Sequence, residues 1–239
     1  HYVRSLGPVG DLDTETQTIL HEYNLGVRAF TQTILDELSP LSQVRPWRAD
    51  PEECLKRRDL RSPSDPGVQA GRGEDFLIFS IDPPSCEDVD DALSVRMLGN
   101  GRIQLGVHIA DVTHFVKPGS FVDLEARRRT TSVYMADRRF DMLPGILSGD
   151  ICSLWSGRDR YAVSVIWELD ASTCEVLDVW YGRTVIRSRY KMAYENAEKI
   201  HNQFQKCTAA KKLVDALGGI PAIHQMMPEL KNSSTECNL

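Results

Sequence analysis

No stretch of this 239-residue chain approaches the roughly 18 consecutive apolar residues that a membrane-crossing helix needs. The N-terminus also lacks the basic-then-apolar order of a secretory signal. Cysteine is sparse and dispersed: Cys54, Cys86, Cys152, Cys174, Cys207 and Cys237 form no C-x-x-C pair and no His-Cys cluster of zinc-ligand spacing. A disulfide framework is not expected at this length and density, so the thiols read as reduced and the compartment as cytosolic or nuclear. The sequon at Asn232 carries no meaning there. A basic excess is lacking too: the net charge is −6 and the pI near 5.6. Generic coating of nucleic acid is therefore excluded, and any nucleic-acid site must be local.

What remains is a globular composition, 41% hydrophobic, long enough for one domain plus part of another. The chain begins with His1 and ends in a polar tail from Lys231 to Leu239, so a fragment of a longer protein is expected. Residues 1–38 read as the end of a small domain, with a helix-like run from Thr14 through Ile19, Leu20 and Tyr23. Residues 39–73 read as a linker, interrupted by Pro40, Pro46, Pro51, Pro63 and Pro66, with one short helix between Glu52 and Arg58.

The pattern changes at Phe76. The run Phe76-Leu77-Ile78-Phe79-Ser80-Ile81 predicts a strand buried on both faces that delivers Asp82 at its end. Leu93, Val95 and Met97 alternate with polar residues, as do Ile103, Leu105, Val107 and Ile109, and Asn100-Gly101 supplies the turn of a hairpin between them. Ser120 followed by Asp123 resembles a capping box opening a helix through Arg129. Strands are expected over Tyr161–Leu169 and Val176–Ile186, helices over Lys191–Phe204 and Ala209–Leu217. Without strict β-α alternation, the class is a mixed α+β domain from Glu74 onward.

The chemistry concentrates in Asp82-Pro83-Pro84-Ser85-Cys86-Glu87-Asp88-Val89-Asp90-Asp91. Two ionised carboxylates about 5 Å apart repel by roughly 3 kcal/mol at an effective dielectric of about 20, so four aspartates in one pocket need a cation or shifted protonation. Mg²⁺ meets that need, because it prefers carboxylate oxygens, retains waters and usually partners phosphate. A solvated acidic loop is the bland alternative, and the flanking strands count against it. An EF-hand fails, since neither Asp88 nor Asp90 starts a loop with the required Gly and the Glu at its twelfth position. A carboxylate pair for sugar chemistry leaves the other acids unexplained.

The stretch Ser80 to Leu93 resembles the signature of the RNase II (RNB) catalytic domain: an aspartate, five residues, an aspartate, one residue, then two more. Val107-His108-Ile109-Ala110-Asp111-Val112, Tyr134 with Met142-Leu143-Pro144, and Leu147-Ser148 with Ile151-Cys152-Ser153-Leu154 follow in family order. The wording around the aspartates and at Tyr181-Gly182-Arg183 is most similar to the eukaryotic, exosome-associated branch, and within it to the cytoplasmic exosome exonucleases. That resemblance implies a 3′-to-5′ hydrolytic exoribonuclease releasing nucleoside 5′-monophosphates. It implies Asp82, Asp88, Asp90 and Asp91 as the Mg²⁺ and catalytic centre, with Asp90 spent on the chemical step. It places Tyr134 on the 3′ end of single-stranded RNA, where a ring stacks on bases of any sequence, and Asp111 in support of the site.

Arg127, Arg128, Arg129, Arg138 and Arg139 would track the RNA backbone if close to the aspartates, although an arginine cluster is ordinarily a solvated face. His108 and His114 read as structural, because Mg²⁺ seldom takes imidazole. Residues 1–38 would then be the end of an OB-like or cold-shock domain, 74–206 part of the RNB domain, and 207–239 an atypical or truncated tail, with the resemblance fading after Lys206. The family's arginine-bearing motif, its S1 module and complete cold-shock domains have no match here. The implied partners are RNA and the exosome core, with no membrane, and the implied location is cytoplasmic or nuclear. The alternative is a catalytically incomplete product that binds RNA or a partner without cutting.

Overall fold

A computed structural model of the chain describes residues 4–42, 46–61, 76–98 and 101–206. They fall into two compact units, one made of residues up to Trp47 together with Val112–Ser148, the other of Arg48–Asp111 together with the chain from Gly149 onward.

The second unit is built on a seven-stranded sheet. Its strands are β1 (Arg58–Asp59), β2 (Leu77–Asp82), β3 (Asp91–Leu98), β4 (Arg102–Ala110), β7 (Asp159–Asp170), β8 (Val176–Arg187) and β9 (Tyr190–Ala193), in the order β1-β8-β7-β4-β3-β2-β9. The hairpin is present with Leu98 opposite Arg102 and Leu93 opposite Val107. Gly101 holds φ +77°, the left-handed value glycine adopts without strain in such a turn; Asn100 lies outside the described residues. Both outer pairings, β1 on β8 and β9 on β2, are parallel, which no hairpin can produce. The class is α+β, as expected.

Alternation along the strands gives the sheet two unlike faces. On one, Ser94, Arg96, Gln104, His108, Ser164 and Thr184 are buried. Several pair across strands: His108 Nδ1 lies 2.6 Å from Ser164 Oγ, which lies 2.6 Å from Thr184 Oγ1, and the Arg96 Nη2 donates to Gln104 Oε1 at 2.6 Å. Gly106 is required here, because a Cβ would stand 2.4 Å from Ser94 Oγ and 3.0 Å from His108 Nε2. Burial pushes the His108 imidazole down to about 4, so it is a neutral structural group, as its sequence setting implied. On the other face, Leu105, Ile109, Val163 and Val179 are exposed, while toward β9 Phe79, Ile81 and Tyr190 pack with Met192 and Ile200.

The segment from Lys191 departs from expectation. Tyr190–Ala193 is a strand paired with Phe79–Asp82, and the helix, α7, runs Tyr194–Lys206. The period-2 pattern Tyr-Lys-Met-Ala is too short to stand out beside the helix that follows it, and only pairing with a distant strand reveals it.

The first unit is mainly helical. Of residues 1–38, expected to end a small β domain, those from 4 are described and hold α1 (Leu12–Glu22) and α2 (Gln32–Glu37), with no strand among the described residues; α3 (Ser39–Ser42) follows at the start of the expected linker. In the second unit the expected linker carries α4 (Pro51–Cys54) before β1. After α5 (Val112–Phe115), helix α6 spans Phe121–Arg129, and the Ser120 hydroxyl accepts from Asp123 N–H at 3.2 Å. The shorter Asp123 side chain turns back to Gly119 N–H (2.7 Å), a variation on the reciprocal box. Then β5 (Val133–Tyr134) pairs with β6 (Arg139–Phe140). The helix expected at Ala209–Leu217 and the tail 207–239 lie outside the described residues.

Candidate metal centre

Four aspartates reach their places through strand ends and one tight turn. Asp82 closes β2, which is flanked on both sides by β3 and β9, and its side chain is buried. Pro83 to Cys86 then forms a turn, with Cys86 N–H donating to Pro83 C=O at 3.0 Å and Pro84 at the position whose φ proline pre-sets. The turn folds the Cys86 thiol back over the strand end, 3.7 Å from Asp82 Oδ1 and 3.8 Å from Asp88 Oδ1. Asp82 and Asp88 therefore flank a single sulfur. Burial, then the charges of Asp82 and Asp88, push the thiol up to about 11, so it stays protonated.

The chain rejoins the sheet at once. Asp90 C=O accepts from Ala110 N–H at 2.9 Å, and Asp91 opens β3 opposite Ile109. Asp90 and Asp91 are both exposed and Asp88 is half-buried.

Asp82 Oδ2 is buried and has no hydrogen-bond partner. A buried carboxylate oxygen left unpaired is costly and calls for a cation. Hard oxygen donors suit Mg²⁺, which is usually held by one or two carboxylates with waters and phosphate. Asp82 and Asp88 fit that arrangement. Among the described residues, no three or more His, Cys, Asp or Glu side chains come together as a metal-holding group.

Residues that the motif reading left without a role grip this loop. The Ser153 hydroxyl accepts from Val89 N–H and donates to Glu87 C=O, both at 2.9 Å, and Leu154 N–H donates to Val89 C=O at 2.8 Å. Arg160, almost wholly buried, donates from Nε to Ser153 C=O (2.8 Å) and from Nη2 to Asp150 C=O (3.1 Å). Lys191 Nζ donates to Cys86 C=O and sits 4.5 Å from the Trp155 ring centre. Ser153 stood in a quoted stretch, but nothing in that stretch says which loop its hydroxyl meets.

Asp111 is held in a buried ion pair, its Oδ2 2.8 Å from Arg57 Nη1, with Arg183 Nε at 3.7 Å. Asp111 follows Ala110, whose N–H donates to Asp90 C=O.

Tyr134, Arg127, Arg128 and Arg138 belong to the first unit, the aspartates to the second. Tyr134 is 67% exposed, with the Arg139 guanidinium 5.9 Å from its ring centre. The arginines are engaged with carboxylates of their own unit: Arg127 with Asp123, Arg128 with Glu125, Arg138 with Asp13 and Asp137. The Arg128 guanidinium, with Arg129 adding to it, holds the Glu125 carboxyl down to about 2. Arg129 lies 3.8 Å over the Phe30 ring and Arg139 pairs with Asp141. His114 stacks edge-on against Phe115.

Comparison with known proteins follows the same line. Residues 72–236 match the model of the RNB domain, a span that continues past Lys206. The chain is 42% identical over 200 residues to exosome complex exonuclease RRP44 homolog A of Arabidopsis thaliana, covering 83% of this chain and 20% of that protein. It is 38% identical over 230 residues to DIS3-like exonuclease 2 of Xenopus tropicalis, covering 95% of this chain and 26% of that one. The chain thus spans about a fifth to a quarter of these relatives. Mycoplasma genitalium RNase R, solved with ribose-methylated single-stranded RNA, shares the fold at a TM-score of 0.67 and 23% identity, over 90% of this chain and 30% of that one. Yeast Ssd1, described as a pseudonuclease, aligns at a TM-score of 0.64 and 28% identity, over 87% of this chain and 24% of that one.

Proposed function

Because the chain belongs to the RNB domain family, we propose that it carries the acidic centre of a Mg²⁺-dependent 3′-to-5′ exoribonuclease that hydrolyses single-stranded RNA to nucleoside 5′-monophosphates. The observation that carries this reading is the buried Asp82 Oδ2 without a hydrogen-bond partner, on a carboxylate whose other oxygen shares the Cys86 thiol with Asp88. Asp82 and Asp88 hold the cation, and a bound Mg²⁺ supplies Lewis-acid polarisation of the phosphate and a more acidic water. Asp90, exposed yet fixed through its carbonyl, takes up the proton of the attacking water. Asp91, on the neighbouring side of the strand, orients the scissile group. Tyr134 stacks on a base near the 3′ end. Arg127, Arg128 and Arg138, themselves exposed, exchange their weakly held carboxylate partners for phosphates. The relatives named as exosome complex exonucleases support the exosome core as a partner.

The likeness to a pseudonuclease favours a second reading, in which the chain binds RNA without cutting it. One experiment separates them: labelled single-stranded RNA with Mg²⁺, the wild-type chain and Asp90→Asn. Mononucleotide release by wild type, reduced at least about a hundredfold in the variant with RNA affinity unchanged, supports the nuclease. RNA binding without release by either protein supports the second reading.

A further inference from the structure

The acidic loop is anchored peptide by peptide. Cys86 C=O accepts from Lys191, Glu87 C=O from the Ser153 hydroxyl, and Val89 N–H donates to that same hydroxyl. Val89 C=O accepts from Leu154 N–H and Asp90 C=O from Ala110 N–H. These are the five successive peptide groups from 86–87 to 90–91. Glu87 C=O and Val89 N–H belong to the two peptides that flank the Asp88 Cα, so one hydroxyl fixes both φ and ψ of Asp88.

A hydroxyl can serve both sides at once because it has one O–H to donate and lone pairs to accept with. Ser153 is wholly buried and tied through its own carbonyl to the buried Arg160, so it meets the loop from a rigid base. The peptides on either side of the Asp90 Cα are held by backbone donors from Leu154 and Ala110. Ser153 thus holds both peptides that flank the Asp88 Cα, while the Cys86 thiol meets Asp88 at its carbonyl (3.3 Å) and its carboxylate (3.8 Å).

We propose that Ser153 is a positioning residue for the metal centre, orienting the Asp88 carboxylate toward Asp82. This rests on the reading of Asp82 and Asp88 as cation ligands. Hydrogen-bonded supports of metal ligands are typically worth about 10- to 100-fold in metal affinity, and that is the effect expected on removing the hydroxyl.

The test is titration of the full chain with Mn²⁺, a visible stand-in for Mg²⁺, followed by electron paramagnetic resonance. It compares wild type, Ser153→Ala, Ser153→Cys and the control Ser164→Ala, which removes a buried hydroxyl bonded to His108 and Thr184 rather than to the loop. Expected are a loss of about 10- to 100-fold in Mn²⁺ affinity for Ser153→Ala, with unchanged circular dichroism and faster hydrogen exchange at Val89 N–H, and wild-type affinity for Ser164→Ala. If the alanine variant does not fold, Ser153→Cys decides, since it keeps the shape but bonds weakly. Wild-type affinity in whichever Ser153 variant folds, or an equal loss in Ser164→Ala, overturns the proposal while leaving the metal centre standing. Failure of the wild-type chain to bind Mn²⁺ overturns both.

Discussion

Arg57→Met is the sharpest test of how the second unit is held together around Asp111. The Arg57 and Asp111 side chains are both completely shielded from solvent, with Nη1 to Oδ2 at 2.8 Å. Arg57 also donates from Nε to Glu53 at 2.8 Å and lies 4.2 Å over the Tyr161 ring. Removing one member of a buried pair costs about 3–5 kcal/mol because the other charge is stranded. The lost cation–ring contact adds about 1 kcal/mol. Arg183, 3.7 Å from Asp111 but 56% exposed, offsets part of this. A net destabilisation of about 3 kcal/mol follows, a large share of the roughly 5–15 kcal/mol that stabilises a domain. At a urea slope of about 2 kcal/mol/M the midpoint should fall by about 1.5 M. Three of the four tryptophans, Trp155, Trp167 and Trp180, lie in this unit, so intrinsic fluorescence reports it. Adding Asp111→Leu should recover at least about 1 kcal/mol relative to the sum of the single changes. A midpoint shift below about 0.3 M, or strict additivity in the double variant, would refute the buried pair as the brace.

Lowering the pH should weaken the fold before its carboxylates titrate. His108 is held near 4 when folded, against an ordinary 6.5, so the unfolded chain binds the extra proton in that window. Its effect is nil above pH 6.5, grows as pH falls and reaches about 3 kcal/mol by pH 4; urea midpoints at pH 7 and pH 5 should differ in wild type and much less in His108→Gln. Thiol chemistry should follow burial: iodoacetamide at pH 8, mapped by mass spectrometry, labels exposed Cys174 well before Cys152, whose thiol burial pushes up to about 12. Early labelling of Cys152 in folded protein would contradict its placement. Gly106→Ala should cost about 1–3 kcal/mol through its approach to Ser94 and His108, and a neutral outcome in thermal denaturation would show that the polar row yields.

Legibility fell off with sequence separation. Leu93 to Ile109 could be read as a hairpin because alternation and a turn lie within one short stretch. Ser120 could be read as a helix start because its partner is three residues away. Tyr190–Ala193 could not, since its partner strand lies more than a hundred residues back. The same holds at the site. The motif located Asp82, Asp88, Asp90 and Asp91, but not that Asp82 is buried while Asp90 and Asp91 are exposed, nor that Asp111 is matched by Arg57.

By itself the sequence determined which residues are acidic, how closely they are spaced, and that a strand stands at each end of their loop, because spacing and side-chain period are local properties. Only the tertiary structure decided the strand order, the parallel outer strands and the hydroxyl that sets the angles of Asp88. Those depend on which distant segments bury their polar groups against one another, and hydrogen bonds between residues 64 and 105 positions apart leave no periodic trace along the chain.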